Sequence, residues 1–512
     1  MSLDPPVSRS PEPAQASRVH PVNEVLRSDK LFLFGLQHLF IMYAGAVAVP
    51  LIVGPAVGLG SRDIAILVSA DLLISGVATI IQSVGISKLF GVRLPVVAGA
   101  TFTVLNPMII IATTYGGRNG LPYVYGAMLA SGVFGLIIAK PFSMVVRFFP
   151  PLVAGTVICI IGLSLAGADI SLIYGSPGDK DVGGVARIAL AGLVVLLILI
   201  ISRAFRGFVG QIAVLLSMAI GTLVGWFMHL ADFGNVASAQ WFGTPDIFHF
   251  GAPKFAAPAI ITMCIVMIVT YTESTADMLA VAEMVNVKLK PNDLARGLAT
   301  DGLSAVLASF TNSFPDTAFA ENVGLVSLTK IRSRWVVTVC GALLLILGLI
   351  PKVGQVVADL PGPVVGGGAT VMFAMVTAVG IQTLHKVNFQ GNHNLLIVAT
   401  SLALGLLPAF DPNFYSKFPK DFQVIFGSSI TSTVIVAFIL NLVFNHWVRG
   451  GGESAVQTAV SEGAVAVDVP DEYPAVTEYP AVTDRAAGPA DGRSAELVGD
   501  GPAEETGGRL TE

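Results

Sequence analysis

The sequence predicts an all-α polytopic membrane protein of about fourteen transmembrane segments, arranged as two inverted repeats of seven. Three observations predict it: an apolar composition, positive charge that alternates between connections, and two interrupted segments that stand seven places apart. Of the 512 residues, 54% are hydrophobic and 12% charged, whereas a soluble domain carries about 25% charged residues. A soluble enzyme is thereby excluded. The 54 glycines and 30 prolines fit the same setting, because both are more frequent in membrane helices than in soluble ones.

Residues 1–29 are polar and contain Pro5, Pro6, Pro11 and Pro13. They lack the apolar stretch of a cleavable signal peptide and are expected to form a disordered cytoplasmic N-terminus. The apolar body spans 30–447. Turn residues and charges divide it into apolar segments near 31–53, 63–88, 94–113, 122–140, 151–168, 184–203, 210–230, 256–285, 294–312, 318–331, 334–351, 362–385, 392–410 and 424–447. A full span needs roughly 20 apolar residues. Cys159, Cys264 and Cys340 all lie inside apolar runs, which suits core positions rather than a disulfide framework or a zinc site.

Lysine and arginine collect in alternate connections: Arg27 and Lys30, Lys88 and Arg93, Lys140 and Arg147, Arg203 and Arg206, Lys288, Lys290 and Arg296, Lys330, Arg332 and Arg334, Lys386, and Arg449. These are the even-numbered connections and both ends, so the positive-inside rule puts both termini in the cytoplasm. Residues 451–512 hold 13 acidic and 3 basic residues. With Gly, Ala and Pro and the tandem Glu-Tyr-Pro-Ala-Val-Thr at 472–477 and 478–483, residues 448–512 read as a disordered acidic cytoplasmic tail. A docking motif for a partner is the other reading of that tandem.

Segment three is bracketed by Leu94-Pro95 and Asn106-Pro107, and segment ten is interrupted at 313–316 and 321–324. Seven is odd, so two halves of seven segments have opposite orientation, the inverted-repeat plan in which broken segments meet near the midplane. Lipid cannot satisfy the backbone groups that a break exposes. The breaks must therefore face each other or a polar cavity, and that cavity is the candidate site.

A carboxylate at the centre of a span costs about 3 kcal/mol on insertion scales, so each one is a functional candidate. Glu273 and Asp277 are four apart in segment eight, hence on one helix face. Glu283 lies nearer the end of that segment and reads as an interfacial charge. Asp301 opens segment nine in Ala299-Thr300-Asp301-Gly302, and Glu321 and Asn322 sit at the break of segment ten. No lysine or arginine stands mid-segment to neutralise them, so at least one is expected to carry a proton during part of a cycle. Asp301 has two readings, a direct proton role and a fixed hydrogen-bonding post for the broken segment. His38, beside Gln37 in segment one, likewise reads as a proton relay or as a satisfied packing residue. Asp71 in segment two reads best as a helix-packing hydrogen bond. Zinc-protease, phosphate-loop and nucleophile-elbow patterns are absent from the sequence, so no catalytic or metal residues are assigned. Without an ATPase domain, uphill movement must draw on an ion gradient. The arginine-poor interior favours a neutral or weakly acidic substrate with N–H donors.

The run Glu321-Asn322-Val323-Gly324-Leu-Val-Ser-Leu-Thr329-Lys330 resembles the signature of the nucleobase-ascorbate transporter family (nucleobase:cation symporter-2), Gln/Glu/Pro-Asn-x-Gly-x4-Thr-Arg/Lys/Gly. Gln37-His38, the Glu-x3-Asp of Glu273 and Asp277, and Thr300-Asp301-Gly302 follow the family's order, so the resemblance covers about residues 30–447. It implies short strands in segments three and ten, a core of segments 1–4 and 8–11, a gate of segments 5–7 and 12–14, and a homodimer with elevator-like movement. It also implies substrate binding by Glu273, Glu321, Asn322 and Phe102, with Asp301, His38 and Asp277 supporting proton coupling, and Gly324, Thr329 and Gln37 as signature positions. Many bacterial xanthine carriers have Gln where this chain has Glu321, as uracil carriers do; the residues around Pro315 and Glu273 look more like the xanthine and uric acid branch.

The expected function is therefore proton-coupled import of xanthine or uric acid across the cytoplasmic membrane. A uracil symporter is the alternative within the class, and an anion exchanger or channel of similar architecture is the alternative outside it. No organic cofactor or nucleic-acid partner is expected; protons are the coupling ion, with sodium as the other candidate.

Overall fold

The computed structural model describes residues 20–145, 150–175, 181–244, 246–390 and 393–447 of the chain. The first repeat runs α1 (Ser28–Ala56), α2 (Ser61–Val84), strand β1 (Ala98–Ala100), α3 (Leu105–Thr114), α4 (Leu121–Val145), α5 (Pro151–Ser164), α6 (Val185–Ala204) and α7 (Ala213–Phe227). The second runs α8 (Ala257–Met284), α9 (Pro291–Thr311), strand β2 (Asp316–Ala318), α10 (Ala320–Thr329), α11 (Arg334–Gly348), α12 (Gly362–Leu384), α13 (Asn394–Phe410) and α14 (Ser429–Leu442). Proline stands in the first turn of α5, α8, α9 and α12, where its missing N–H is not needed.

Among the described residues, seven helices are long and apolar enough to cross a membrane by themselves. Two further spans are bent: α11 continues into Pro351–Ala358 at 81°, and Lys420–Phe426 leads into α14 at 78°. These bends are not legible in the hydropathy, which runs on through each break. The tail expected to be disordered over 448–512, and residues 1–19, lie outside the described residues. The expectation of disorder over the whole of 1–29 is corrected from His20 onward. Pro21–Asn23 form a 3-10 turn with Val22 buried, and Ser333 and Trp335 donate to the carbonyls of Glu24 and Asn23 at 2.6 and 3.3 Å. One apolar anchor and two side-chain donors suffice to hold that short polar stretch on α11.

The helix packing repeats under a shift of seven. α4 packs on α9 as α11 packs on α2, α8 on α4 as α1 on α11, and α13 on α14 as α6 on α7, while α5 and α12 pack on each other. The two most extensive of these contacts are built alike. A Cβ on Gly76 of α2 would lie 2.7 Å from the Gly341 carbonyl oxygen of α11, and a Cβ on Gly132 of α4 would lie 2.9 Å from the Gly302 carbonyl oxygen of α9. Glycine meets glycine at both crossings, as membrane helices require when lipid supplies no hydrophobic drive and backbones must approach closely.

β1 and β2 pair antiparallel, with Ala98 opposite Ala318, Gly99 opposite Thr317 and Ala100 opposite Asp316. All six residues are buried. Apolar side chains left exposed on α6 and α7, among them Leu196, Leu199, Leu223 and Phe227, form a surface suited to lipid.

Gly76→Ala is expected to destabilise the fold by about 1–3 kcal/mol through overpacking, because the new Cβ would also lie 2.6 Å from the Leu345 backbone nitrogen. Gly192→Ala, at a position with open space around it, should leave the thermal midpoint of the detergent-solubilised protein unchanged.

Candidate functional site

The strand pair is extended at both ends by single backbone bonds, Thr101 N–H to the Pro315 carbonyl at 3.1 Å and Phe319 N–H to the Val97 carbonyl at 2.9 Å. Side chains of neighbouring helices satisfy what remains. Thr79 of α2 accepts from Ala98 N–H at 2.9 Å, Ser274 of α8 accepts from Ala318 N–H at 2.9 Å, and Ser304 of α9 accepts from Asp316 N–H at 3.0 Å. Ser274 also meets Thr317 at 2.8 Å, and Ser75 of α2 donates to Asp316 Oδ1 at 2.9 Å. Each strand then feeds a helix. β1 leads into α3 and β2 into α10, so the N-terminal ends of two helices, with their positive dipole ends, stand next to the strand crossing.

Glu273 lies on α8 beside this crossing. Thr103 donates to its Oε1 at 2.7 Å and Thr101 to its Oε2 at 3.2 Å. Thr101 also caps the short turn Phe102–Val104 by accepting from Thr103 N–H at 3.2 Å. One turn of backbone thus presents two hydroxyls to the two oxygens of one carboxyl group, and hydrogen bonds to a charged group contribute about 1.5–3 kcal/mol each. Asp277, one helical turn further along α8, is close enough to Glu273 and Glu321 for their charges to interact. Glu273, Asp277 and Glu321 are therefore brought near one another from two segments. Phe102 is buried, and its ring meets Phe373 of α12 edge-on at 5.4 Å.

Glu321 occupies the first turn of α10, with Asn322 next to it. Asn322 Nδ2 donates to His38 Nδ1 at 3.0 Å and to the His38 carbonyl at 2.9 Å. With Nδ1 accepting, the ring proton sits on Nε2, and the buried histidine acts as a post that aims the carboxamide. Asp301 is also buried, and its Oδ1 accepts from Gln82 Nε2 at 3.0 Å. Gln82 spans three elements: it donates to the Gly297 carbonyl at 2.9 Å and accepts from Val92 N–H at 3.1 Å. The other carboxylate oxygen of Asp301, Oδ2, is buried without a hydrogen-bond partner among the described residues. Asp71, read as a helix-packing hydrogen bond, is buried beside Ser313 and Asp316, but neither of its carboxylate oxygens has a hydrogen-bond partner among the described residues.

The remaining signature positions do other work. Thr329 donates to the Leu325 carbonyl at 2.8 Å, and Lys330 takes φ 55° as the left-handed residue that ends α10. Gly324 is exposed with open space around it, and Gln37 is half-buried on α1. Sequence reasoning missed Thr101, Thr103, Gln82 and Ser75. Gln82 carried a signal, since a carboxamide inside a span is costly to bury; the hydroxyl residues carried none.

A permease family model, Xan_ur_permease, matches residues 29–414. The chain belongs to the nucleobase-ascorbate transporter family. Among curated relatives of this family, it is 39% identical over 442 residues to the uric acid transporter UacT of Escherichia coli, covering 85% of this chain and 91% of that one. It is 40% identical over 416 residues to a xanthine permease of Bacillus subtilis, covering 81% and 94%. Among solved structures, it is similar in fold to the transmembrane domain of the cyanobacterial bicarbonate transporter BicA, with a TM-score of 0.54 and 14% identity over 82% of this chain and 98% of that chain. The nucleobase-ascorbate transporter assignment makes the chain an integral membrane transporter rather than an enzyme.

Gln82→Leu removes the donor to Asp301 and the acceptor for Val92 at once. It is expected to destabilise the protein by about 2–4 kcal/mol, since the Asp301 carboxyl, the Gly297 carbonyl and the Val92 N–H each lose a buried partner, and the check is the thermal midpoint in detergent.

Proposed function

We propose that the chain is a proton-coupled symporter that imports an oxidised purine, xanthine or uric acid, across the plasma membrane. The observation that carries this reading is Glu273, a carboxyl group held by two hydroxyls of segment three beside the strand crossing. A carboxylate accepts hydrogen bonds from ring N–H groups, and with both Nδ2 hydrogens of Asn322 donated to His38, its Oδ1, which has no partner among the described residues, is a further acceptor for a base. The relatives named for uric acid and xanthine transport support the substrate class.

The site meets the purine as follows. Glu273 takes ring N–H donors, Asn322 is aimed by His38, Glu321 reads a second edge, and the Phe102 ring covers one face. A ligand without N–H groups would leave buried acceptors unpaired and is rejected strongly. Moving a neutral base together with a proton keeps the crossing site near neutrality, which matters because each uncompensated charge in a span costs about 3 kcal/mol. Glu273, Asp277, Asp301 and Glu321 supply the carboxyl groups that take up this proton.

The cavity that reaches Glu273 has a volume of about 10 Å³ between α5, α8 and α14, room for one water. A purine therefore enters only when α8 and the strand crossing shift against α5 and α14. Such a shift suits an elevator in which a core of segments 1–4 and 8–11 moves against a gate of segments 5–7 and 12–14. The homodimer and the cytoplasmic placing of both termini are parts of the same proposal.

The test is uptake of labelled xanthine into proteoliposomes under an inward proton gradient, competed with unlabelled uric acid, uracil and bicarbonate. Gradient-driven accumulation blocked by uric acid alone is expected; block by uracil or bicarbonate overturns the substrate assignment. Glu273→Gln should abolish uptake, with loss of about 100-fold or more, while the thermal midpoint stays near that of the parent. Glu321→Gln should reorder the competitors more than it lowers the maximal rate, and an unchanged competition profile would refute its role in recognition.

A further inference from the structure

A second cavity, of about 400 Å³, opens on the face that carries the cation-rich connections, away from the strand crossing. Three arginines from separate parts of the chain line it: Arg93 from the α2–β1 connection, Arg296 from the start of α9 and Arg334 from the start of α11. Among the described residues, one carboxylate, Asp293, lines it with them.

Each guanidinium is anchored along one edge. Arg334 Nη1 donates to the carbonyls of Ser83 and Val84 at 2.9 and 2.8 Å, closing the end of α2. Arg296 Nη2 pairs with Asp293 Oδ1 at 2.7 Å, and Arg93 Nη2 donates to the Ser87 carbonyl at 3.2 Å. The Nε of Arg296 and the Nε of Arg334 are buried and have no acceptor among the described residues. Arg93 and Arg334 are close enough to repel each other. Two buried cationic donors without acceptors among the described residues, in a cavity with three guanidinium groups against one carboxylate, form an arrangement that an anion relieves, since a buried charged donor left without an acceptor is costly.

We infer that this cavity binds a phosphate monoester. Guanidinium edges match phosphate oxygens in bidentate fashion, and converging donors from three elements suit a dianion better than a carboxylate. Small-molecule pockets run from about 300 to 1,000 Å³, so the cavity is larger than a bare phosphate requires. Its Val92, Leu94, Val287 and Leu289 walls give the organic part of an ester an apolar seat. Two sources share this chemistry, a soluble nucleoside monophosphate and the headgroup of phosphatidic acid.

The experiment uses the full chain in phosphatidylcholine nanodiscs, titrated with adenosine monophosphate and, as the phosphate-free control, adenosine. Adenosine monophosphate should raise the thermal midpoint and adenosine should not. Arg296→Gln should weaken binding about tenfold or more, equivalent to about 1.4 kcal/mol. Asp293→Asn, which removes the opposing carboxylate but keeps an acceptor for the Lys290 N–H that Asp293 now caps at 3.1 Å, should tighten it. If phosphatidic acid in the discs stabilises the protein and suppresses the nucleotide effect, the lipid is the source and the site stands. The proposal is overturned if neither ligand stabilises the parent protein, if adenosine does as well as its monophosphate, or if binding is the same in both variants as in the parent.

Discussion

The structure depends on a requirement of backbone hydrogen bonding. Two of the segments that cross the membrane are broken, and hydrocarbon offers no partner for the peptide groups a break exposes. The three-residue strands Ala98–Ala100 and Asp316–Ala318 answer this by pairing with each other, and Thr79, Ser274 and Ser304 take up N–H groups at the edges. A two-stranded ribbon so short would not persist alone in water. Here it persists because its surroundings provide no competing hydrogen bonds and four helices hold it in place. Everything at the site follows from that crossing, including the placing of Thr101 and Thr103 against Glu273 and of Asn322 against His38.

The helices around the crossing obey a second constraint. Lipid tails are as apolar as leucine, so helices associate through close packing and hydrogen bonding rather than through the hydrophobic effect. The glycine pairs at the α2–α11 and α4–α9 crossings let backbones touch, and they occur at equivalent places in the two repeats. The result is a closely packed frame on both sides of the strand ribbon.

Charge is handled differently in the two parts of the molecule that carry chemistry. At the crossing, among the described residues, the acids stand without a basic partner, and three of them are braced by neutral donors: Glu273 by hydroxyls, Asp301 by the carboxamide of Gln82 and Asp316 by Ser75. Neutral donors hold a carboxyl group in place whether or not it bears a proton, which a salt bridge to lysine or arginine would not allow. On the cation-rich face the balance is reversed, with guanidinium groups in excess over carboxylates around one cavity.

Much of the architecture was legible in the sequence because the membrane enforces it one residue at a time. Hydrophobic length, the alternation of cations and the cost of a carboxylate in a span each act locally, so the segments, the inverted plan and the acids Glu273, Asp301 and Glu321 could be read directly. The breaks near Pro95 and Pro315 were legible for the same reason, as was the need for them to meet. What the tertiary structure alone decided was partnership. Serine and threonine are inexpensive in a membrane helix and occur throughout it, most of them bonded to their own backbone, so nothing local distinguishes Thr103 or Ser274 from the rest. The sharp bends after Gly348 and Phe426, the bridging role of Gln82 and the convergence of Arg93, Arg296 and Arg334 likewise depend on residues far apart in the chain. Composition and periodicity determined which groups must be satisfied; only the packing of distant segments determined by whom.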